Sequence, residues 1–498
     1  MRIDLTNNIY RLIFVGLTFV VPLSASFAQT KPAEIGPATL ARIGFYLDGI
    51  ERSGFTGNVI VERNGKIVVS RTFGLRDIER NLRNESSTVF DIGSLTKQFT
   101  AAAILKLEML GKLNTDDKIG KFFPNVPEDK AAITIHDLLR HSSGLRGDIG
   151  GDYDRINREE FIAKLMASPL ESTIGERFRY SNIGYSLLAM IVEKTSGRDY
   201  ETFLSENLLR PAGMHSTGYS LPAFDPAKIA VGYRWDGMRW GKPTEKLWDD
   251  GAPFWHLKGN GGILSTTEDL AKWSTALRGD KILSKYAKKK LHHPRLRPNE
   301  TDNPFYAYGW DILRTKRNTL VASHNGTNNF FYADMSRFLD ERLTIIHMVN
   351  KGIPSFIDVN KQIARIIFEP AYVPSIPAAE SKENQVFSKE LSTIAAEKGV
   401  DKAFAAYSSR KTGLDAVERF INGAGYDLMD GNKLRQAIEV FRLNTILFPR
   451  SSNAFDSLGE AYMGSGTKPL AIANYQKSLE LDPANTNAER MLKRLSDQ

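Results

Sequence analysis

One stretch of the chain decides the fold: Asp91-Ile92-Gly93-Ser94-Leu95-Thr96-Lys97, which precedes an apolar run from Phe99 to Leu110 and a stop at Gly111. This pattern is typical of a loop that leads into a buried helix. Residues three apart lie on one face of a helix, so the Lys97 amine can reach the Ser94 hydroxyl. Ser94 is therefore predicted to open a helix and to be a candidate nucleophile. Lys97 would be its base if the site lowers the lysine pKa.

The Ser-x-x-Lys spacing is weak by itself, because it occurs three times in this chain. Ser408 with Lys411 and Ser465 with Lys468 have the same spacing, but both pairs stand in stretches typical of a solvated surface. For Ser94 the alternative is a helix-capping serine beside an exposed lysine. The catalytic interpretation therefore depends on further motifs.

A second motif, Tyr180-Ser181-Asn182, stands at another junction between a loop and an apolar helix. A phenol at this position can share or relay a proton with Lys97, and the Asn182 amide can hold a substrate carbonyl or the lysine. The alternative is a core tyrosine beside an asparagine that caps the helix.

A third motif, His324-Asn325-Gly326, falls between two strand-like runs within residues 319–349. Gly326 allows a ligand to approach the edge of the strand closely. His324 can hydrogen-bond a substrate or influence the Lys97–Tyr180 pair electrostatically. The alternative is a structural histidine on a strand.

Taken in order, the three motifs resemble those of the class C β-lactamases and penicillin-binding-protein-like serine hydrolases. The resemblance covers roughly residues 36–370 and extends to the stretches 138–145, 210–214, 259–266 and 308–310. It implies an α+β fold, in which an antiparallel sheet is flanked by helices and carries a helical insertion. The sequence pattern agrees, because residues 57–69 have the pattern of a hairpin with a tight turn at Asn64-Gly65, and the strands within 319–349 can join the same sheet.

The resemblance also implies a role for each residue of the motifs. Ser94 would be the acylated nucleophile, Lys97 and Tyr180 the proton-transfer pair, and Asn182 a substrate-positioning amide. The oxyanion hole would use the backbone N–H groups of Ser94 and of Thr327, which follows Gly326. The implied reaction is two-step hydrolysis through an acyl-enzyme, and no metal or organic cofactor is expected.

The third motif departs from the β-lactamase pattern. In the β-lactamases and many carboxypeptidases of the superfamily it is Lys-Thr-Gly, and the lysine helps to bind the substrate carboxylate, whereas here that position is His324. A histidine with an ordinary pKa of about 6.5 is mostly neutral at pH 7, so it anchors an anion weakly. We therefore rank β-lactam hydrolysis below peptide or ester hydrolysis, as in relatives that resemble D-aminopeptidases and esterases.

The first 28 residues read as a secretory signal peptide. Arg2 and Arg11 accompany an apolar stretch from Leu12 to Leu23, and Ser26-Phe27-Ala28 offers small residues for cleavage. The apolar stretch is shorter than the roughly 20 residues of a membrane-spanning helix. This predicts a periplasmic or secreted protein without a stable membrane anchor, and the alternative is an uncleaved anchor.

At 498 residues the chain is long enough for two domains or more. We predict a hydrolase domain over 36–370, a proline-containing linker over 371–385 and a helical domain over 386–498. Within the last, Gly425 and Gly459, and likewise Ala437 and Ala471, are 34 residues apart. That is the tetratricopeptide period, with repeats at about 418–451 and 452–485. Such repeats bind peptides or proteins, and the alternative is a stabilising appendage.

Two function hypotheses follow from these patterns. In the first, the chain is an exported serine hydrolase that acts on a small-molecule or peptide substrate, and the repeats recruit a protein partner. In the second, the hydrolase fold is weak or inactive and the chain is a binding or scaffold protein. The net charge is +8, partly from a basic cluster over 285–297. That cluster lacks the interleaved aromatic residues of a nucleic-acid surface, so it is a solvated helix face or a surface attracted to anionic envelopes.

Overall fold

The computed structural model describes residues 35–235, 237–246, 253–293, 296, 305–352, 356–377, 381–483 and 485–496. The chain divides into the units Met1–Ile35 and Gly36–Gln498, and everything below concerns the second. The predicted signal peptide over 1–28 lies outside the described residues. Among the helices of the described ranges, none has the length and apolar character needed to cross a membrane.

The strands within the described residues are short except for five long ones. In chain order they are β1 (Gly57–Arg63), β2 (Lys66–Phe73), β3 (Leu75–Asp77), β4 (Leu82–Arg83), β5 (Phe90–Asp91), β6 (Gly232–Tyr233), β7 (Arg239–Gly241), β8 (Leu264–Ser265), β9 (Phe305–Tyr306), β10 (Asp311–Arg314), β11 (Leu320–Thr327), β12 (Tyr332–Phe338) and β13 (Leu343–Val349).

The helices fall into two groups. In the described part of the chain, nine α-helices lie before residue 370: α1 (Pro37–Arg52), α2 (Thr96–Met109), α3 (Ile135–Leu139), α4 (Arg158–Ala167), α5 (Asn182–Ser196), α6 (Tyr200–Leu204), α7 (Thr267–Ala276), α8 (Lys285–His292) and α9 (Val359–Phe368). Seven follow it: α10 (Lys382–Lys398), α11 (Val400–Ser408), α12 (Glu418–Asp430), α13 (Leu434–Leu447), α14 (Ser452–Gly464), α15 (Lys468–Leu481) and α16 (Thr486–Ser496).

The main sheet joins strands from both ends of the first domain. In the described part of the chain it has seven strands in the order β2-β1-β13-β12-β11-β10-β9, all antiparallel. Asn64 and Gly65 turn the β1–β2 hairpin with positive φ angles of 51° and 84°, as this turn type requires. The predicted α+β fold with an antiparallel sheet and many helices is confirmed.

Helices cover both faces of the sheet. Thr344 and His347 are three residues apart on β13 and so point to opposite faces. The Thr344 hydroxyl contacts Ser274 of α7 at 2.7 Å, whereas His347 contacts Asn360 of α9 at 2.9 Å. On the α7 side, α2 and α5 form the centre of one large apolar core, because both are buried along almost their whole length.

The helices after residue 381 pair along the chain. The predicted period of 34 residues corresponds to the pairs α12–α13 and α14–α15, which begin at Glu418 and Ser452. In the first pair Gly425 lies against the ring of Phe441, and in the second Gly459 lies against the ring of Tyr475. Because a Cβ at Gly425 would stand 2.4 Å from the Phe441 ring, glycine is needed for this close helix contact.

Described residues of the predicted linker over 371–385 contact helix α1. Arg42 of α1 donates a hydrogen bond to the carbonyl of Tyr372 at 2.5 Å, and Ile376 lies directly against Gly49. The following helix, α10, begins at Lys382, inside the predicted linker. Packing of the Ile376 side chain against Gly49 of α1 removes apolar surface from water and helps to stabilise this segment.

A hairpin formed by β6 and β7, here called the 232–241 hairpin, connects the two groups of helices. Arg234 forms an ion pair of 2.7 Å with Asp427 of α12. The ring of Trp235 lies 4.7 Å from that of Phe420 and directly against the backbone of Gly423, both on α12. The C-terminal helices therefore contact the hydrolase domain through specific side chains.

Candidate active site

Ser94 lies at the entrance to α2, a helix that is buried along almost its whole length. Gly93, with a positive φ of 49°, begins a short 3₁₀ turn over Gly93–Leu95, and α2 follows at once from Thr96. Ser94 is half-buried, whereas Lys97, one turn further along, has no exposed surface. The predicted helix opening is therefore a 3₁₀ turn that passes into an α-helix. The Lys97 Nζ–Ser94 Oγ distance is 3.0 Å.

Burial changes the protonation equilibrium of Lys97. It lowers the pKa of Lys97 to about 7, although the carboxylates of Asp148 and Asp152 act in the opposite direction. Nζ also lies 2.8 Å from Asn182 Oδ1 and 2.9 Å from the carbonyl oxygen of Asn260. A neutral amine has two N–H groups and one lone pair. When the two N–H groups donate to Asn182 and Asn260, the lone pair is left for the hydroxyl proton of Ser94.

Tyr180 completes the group around the serine. It stands just before α5, which begins at Asn182 and is capped by the Ser181 hydroxyl. The Tyr180 phenol hydrogen-bonds Ser94, while burial, the largest effect, raises its pKa above the usual value. Lys97 Nζ lies 4.7 Å from the centre of the Tyr180 ring. A neutral phenol beside the serine and the lysine can relay a proton from one to the other.

Two glycines bring the backbone of strand β11 against the serine. A Cβ at Gly326 would stand 2.4 Å from the Ser94 nitrogen, and a Cβ at Gly93 would stand 2.6 Å from the Thr327 nitrogen. The backbone nitrogens of Ser94 and Thr327 are therefore close neighbours at this contact. β10 pairs with β11 only up to Ser323, so in the described strands β10 does not cover the edge of β11 next to the site.

We expect Gly326→Ala to lower the kcat of ester hydrolysis by about 10²-fold or more, the usual cost of a lost oxyanion-hole donor, if the backbone N–H groups of Ser94 and Thr327 form the predicted oxyanion hole. The new methyl group would meet backbone atoms of Ile92 and Ser94 at 2.1 and 2.4 Å, and backbone cannot move aside as a side chain can. Steady-state kinetics on the purified variant measures the loss. Gly120→Ala is the control, because nothing lies within 4 Å of its added Cβ. Equal activity of the two variants would contradict a tight β11–Ser94 contact.

His324 is held in a buried chain of hydrogen bonds. The Ser181 N–H donates to His141 Nδ1 at 3.1 Å, so the His141 proton is on Nε2, which donates to the Tyr306 hydroxyl at 3.2 Å. Tyr306 then donates to His324 Nε2 at 3.1 Å, and His324 Nδ1–H donates to the Asn325 carbonyl at 2.6 Å. Both ring nitrogens of His324 are therefore engaged by the protein.

Burial, and then the charge of Lys97, lower the pKa of His324 to about 4. The imidazole is neutral at pH 7, and it offers no positive charge to a substrate carboxylate. A substrate contact through the His324 side chain stays a prediction. Its Nε2 accepts from the Tyr306 hydroxyl, so a substrate that binds this nitrogen would have to displace that hydrogen bond.

Acidic groups surround the other side of the site. The Asn182 amide donates to Asp148 Oδ1 at 2.9 Å, and the carboxylates of Asp148 and Asp152 both act on Lys97. Asp91 accepts from the Gly93 N–H at 2.8 Å, and burial raises its pKa to about 7. The potential around Ser94 is consequently more suited to a cationic or neutral substrate than to an anionic one.

Aromatic rings line the chain beyond the end of β11, and we call Tyr153, Trp240, Phe330 and Phe331 the aromatic wall. Trp240 of the 232–241 hairpin stacks on Phe330 with ring centres 5.0 Å apart, and Tyr153 lies 5.6 Å from Trp240. Tyr153 hydrogen-bonds Asn328, which follows Thr327. The wall therefore adjoins the end of β11 that contacts Ser94.

Three contacts around the predicted site residues were missed by the sequence reasoning. The carbonyl of Asn260 accepts from Lys97, His141 lies with its ring 4.3 Å from that of Tyr180, and Tyr306 joins His141 to His324. Asn260 and His141 lie in two of the flanking stretches of the resemblance, which was the available signal. Tyr306 carried no signal, because its role depends on the β9–β10 pairing.

Fold and site together define the class. A Ser-x-x-Lys pair at the entrance to a buried helix, beside an antiparallel sheet with a helical insertion, is the arrangement of the β-lactamase-like serine hydrolases. The family model described as Beta-lactamase matches residues 49–367, and the chain belongs to this family. Homologues in the family are serine hydrolases.

Known proteins agree with this assignment. Penicillin-binding protein 4* of Bacillus subtilis (strain 168) is 30% identical over 355 residues, which are 67% of this chain and 77% of that protein. The octameric penicillin-binding protein homologue from Pyrococcus abyssi has a TM-score of 0.56 at 25% identity, over 71% of this chain and 81% of its own.

Two further structures share the fold at lower identity. A class C β-lactamase has a TM-score of 0.58 at 21% identity, over 68% of this chain and 98% of its own. The D-amino acid amidase from Ochrobactrum anthropi SV3 has a TM-score of 0.54 at 23% identity, over 67% and 98%. All of these matches leave part of the present chain uncovered.

Proposed function

We propose that this protein is an exported serine hydrolase that cleaves an amide or ester bond through an acyl-enzyme on Ser94. The proposal rests on the three contacts of Lys97 Nζ. Two of them are acceptors for its N–H groups, and the third is Ser94 Oγ, which lies 3.0 Å away and can give its proton to the lone pair. A lysine with a pKa of about 7 is half neutral at neutral pH, which suits a general base.

In the proposed reaction, the Lys97 amine takes the Ser94 proton as Oγ attacks the substrate carbonyl. The negative charge on the carbonyl oxygen is stabilised by the N–H groups of Ser94 and Thr327. The proton passes from Lys97, with Tyr180 as relay, to the departing amine or alcohol. Water then attacks the acyl-enzyme, and the same groups work in reverse to release the acid.

The charges around Ser94 favour substrates that have no carboxylate near the scissile bond. They are also compatible with substrates that carry an ammonium group. His324 is neutral at pH 7, and Asp148 accepts a hydrogen bond from the amide of Asn182, the group proposed to position the substrate. The fold shared with a D-amino acid amidase fits such a preference. β-Lactams, which carry a carboxylate, rank below small esters and aminoacyl amides.

Export and partner binding complete the proposal. Residues 1–28 would be removed on export to the periplasm or the exterior. The helices from α12 to α15 would be tetratricopeptide repeats, on the grounds of the 34-residue period and the paired contacts Gly425–Phe441 and Gly459–Tyr475. Repeats of this kind would bind a peptide or protein partner.

Turnover of three D-alanine p-nitroanilides tests the substrate preference. We expect the free amine to be hydrolysed about tenfold faster, in kcat/KM, than the N-succinyl compound, with the N-acetyl compound between them. Asp148→Asn should narrow the difference, and the exposed Asp116→Asn should leave it unchanged. We also expect ampicillin turnover to be slow compared with that of a small p-nitrophenyl ester. The reverse order in either comparison would refute the proposed preference.

A further inference from the structure

A second concave site lies on the hydrolase domain, away from Ser94. It is a cavity of about 480 Å³ between the end of α7, helix α8 and the turn that joins β12 to β13. Four cationic side chains line it: Arg278, Lys288, Arg337 and Arg342, and no carboxylate is present among the described lining residues. We call it the basic cavity. Lys288 belongs to the basic cluster over 285–297 that the sequence shows.

Two of the four charges are neutralised by carboxylates outside the lining. Both terminal nitrogens of Arg278 donate to the carboxylate of buried Glu62. Lys288 forms an ion pair of 2.7 Å with Asp280 and donates to the carbonyl of Gly279 at 2.9 Å. The charges of these two cations are therefore balanced by Glu62 and Asp280.

Arg337 of β12 differs from Arg278 and Lys288, because it has no carboxylate partner in the described part of the chain. Only 3% of it is exposed, and its hydrogen bonds go to neutral groups. Nε and Nη2 donate to the hydroxyl and carbonyl oxygens of Ser274, and Nη1 donates to His292 Nε2 at 3.1 Å. Burial, and then Arg337 itself, lower the pKa of His292 to about 3, so this imidazole is a neutral acceptor. A guanidinium has five N–H groups, and these hydrogen bonds use three of those on Arg337.

Arg342 supplies the second unbalanced charge at the mouth of the cavity. It lies in the β12–β13 turn with a positive φ of 49°, and its side chain is exposed. Among the described residues, no carboxylate stands within ion-pair distance of Arg337 or of Arg342. The basic cavity therefore holds an excess of two positive charges, one deep and one at the rim.

The basic cavity is separate from the candidate active site. In the sheet, Arg337 is paired with Ala322, whereas Gly326 is paired with Ala333. Four residues of β-strand separate the two positions, roughly 13 Å at the usual rise per residue. A ligand in the basic cavity would therefore touch none of Ser94, Lys97 and Tyr180.

We propose that the basic cavity is a binding site for a phosphate-bearing polyanion. Guanidinium groups match phosphate oxygens with paired hydrogen bonds, and a buried cation without a carboxylate gains most from such a partner. The volume falls within the range of about 300–1,000 Å³ of small-molecule sites. Two separate guanidiniums, one deep and one at the rim, favour a ligand with at least two anionic groups over a single small anion.

Calorimetric titration of the full chain with sodium pyrophosphate tests the site. We expect saturable binding that weakens by about fivefold or more in Arg342→Ala, because a direct charge contact is removed. Lys289→Ala is the matched control, since Lys289 is an exposed neighbour on α8 that does not line the cavity. Ester hydrolysis should be unchanged in both variants. Arg337→Gln should abolish binding if it folds, but the test does not depend on it.

Vesicles distinguish the two sources of such a phosphate. Sedimentation with phosphatidylglycerol vesicles, lost in Arg342→Ala and absent with phosphatidylcholine, would identify a lipid headgroup. Pyrophosphate binding without vesicle binding would identify a soluble phosphate compound. Absence of binding to both probes, or equal weakening by Arg342→Ala and Lys289→Ala, would overturn the proposal, because the effect would then be general surface charge.

Discussion

Replacing Ser94 by alanine is expected to lower turnover of a p-nitrophenyl ester by roughly 10⁴-fold or more, because no acyl-enzyme can form without the hydroxyl. Labelling by a fluorophosphonate probe should disappear in the same variant, and mass spectrometry of the labelled wild type should find the adduct on Ser94. Lys97 should remain buried, since its contacts with Asn182 and Asn260 do not involve the lost oxygen.

The chain supplies a matched control for this experiment. Ser408 has the same spacing to Lys411, but it is exposed and its hydroxyl donates to the Phe404 carbonyl within its own helix. Ser408→Ala should keep full activity and full labelling. If folded wild type reacts with neither a fluorophosphonate nor a β-lactam probe, the binding-module hypothesis is favoured. Activity retained in Ser94→Ala would exclude the assigned nucleophile.

The second large effect is expected for Lys97→Met, which should lower kcat/KM by about 10³-fold, within the usual range for a lost general base. The methionine side chain fills similar space without a proton acceptor. In the wild type, kcat/KM should rise with pH through about 7, because the depressed pKa makes the amine neutral above that value. Below it the ammonium form predominates and cannot accept the Ser94 proton.

The pH profile of the variant identifies the titrating group. Burial also raises the pKa of Asp91 to about 7, so this carboxyl ionises over the same range. If Lys97 is the base, the residual activity of Lys97→Met should no longer rise through pH 7. Persistence of the rise would assign it to Asp91 or another group. Lys112→Met, at an exposed position, is the control for loss of a lysine.

Sequence reasoning predicted the geometry of features that depend on residues close together in the chain. The Ser94–Lys97 pair depends only on helical spacing, and the β1–β2 hairpin depends only on its Asn64-Gly65 turn. The helix pairs α12–α13 and α14–α15 follow the 34-residue period of the amino-acid sequence. In each case, residues within a few positions of one another carry the signal.

It did not show features that depend on segments far apart in the chain. The state of His324 is set by Tyr306 and His141, which are held there by pairing and burial across the fold. The carbonyl of Asn260, a main-chain atom, has no side-chain identity that a motif could show. Within the predicted linker over 371–385, the packing of Ile376 on Gly49 is likewise a contact between residues far apart in sequence.

The contacts of the 232–241 hairpin matter for any truncated form of this protein that lacks the C-terminal helices. One end of the hairpin carries Arg234 and Trp235, which touch α12, and the other carries Trp240, which stacks on Phe330 beside the site. A chain cut after Pro377 would leave the Trp235 indole in water and deprive Arg234 of the Asp427 carboxylate. Catalytic rates measured on such a fragment would describe a site with one of its supports removed.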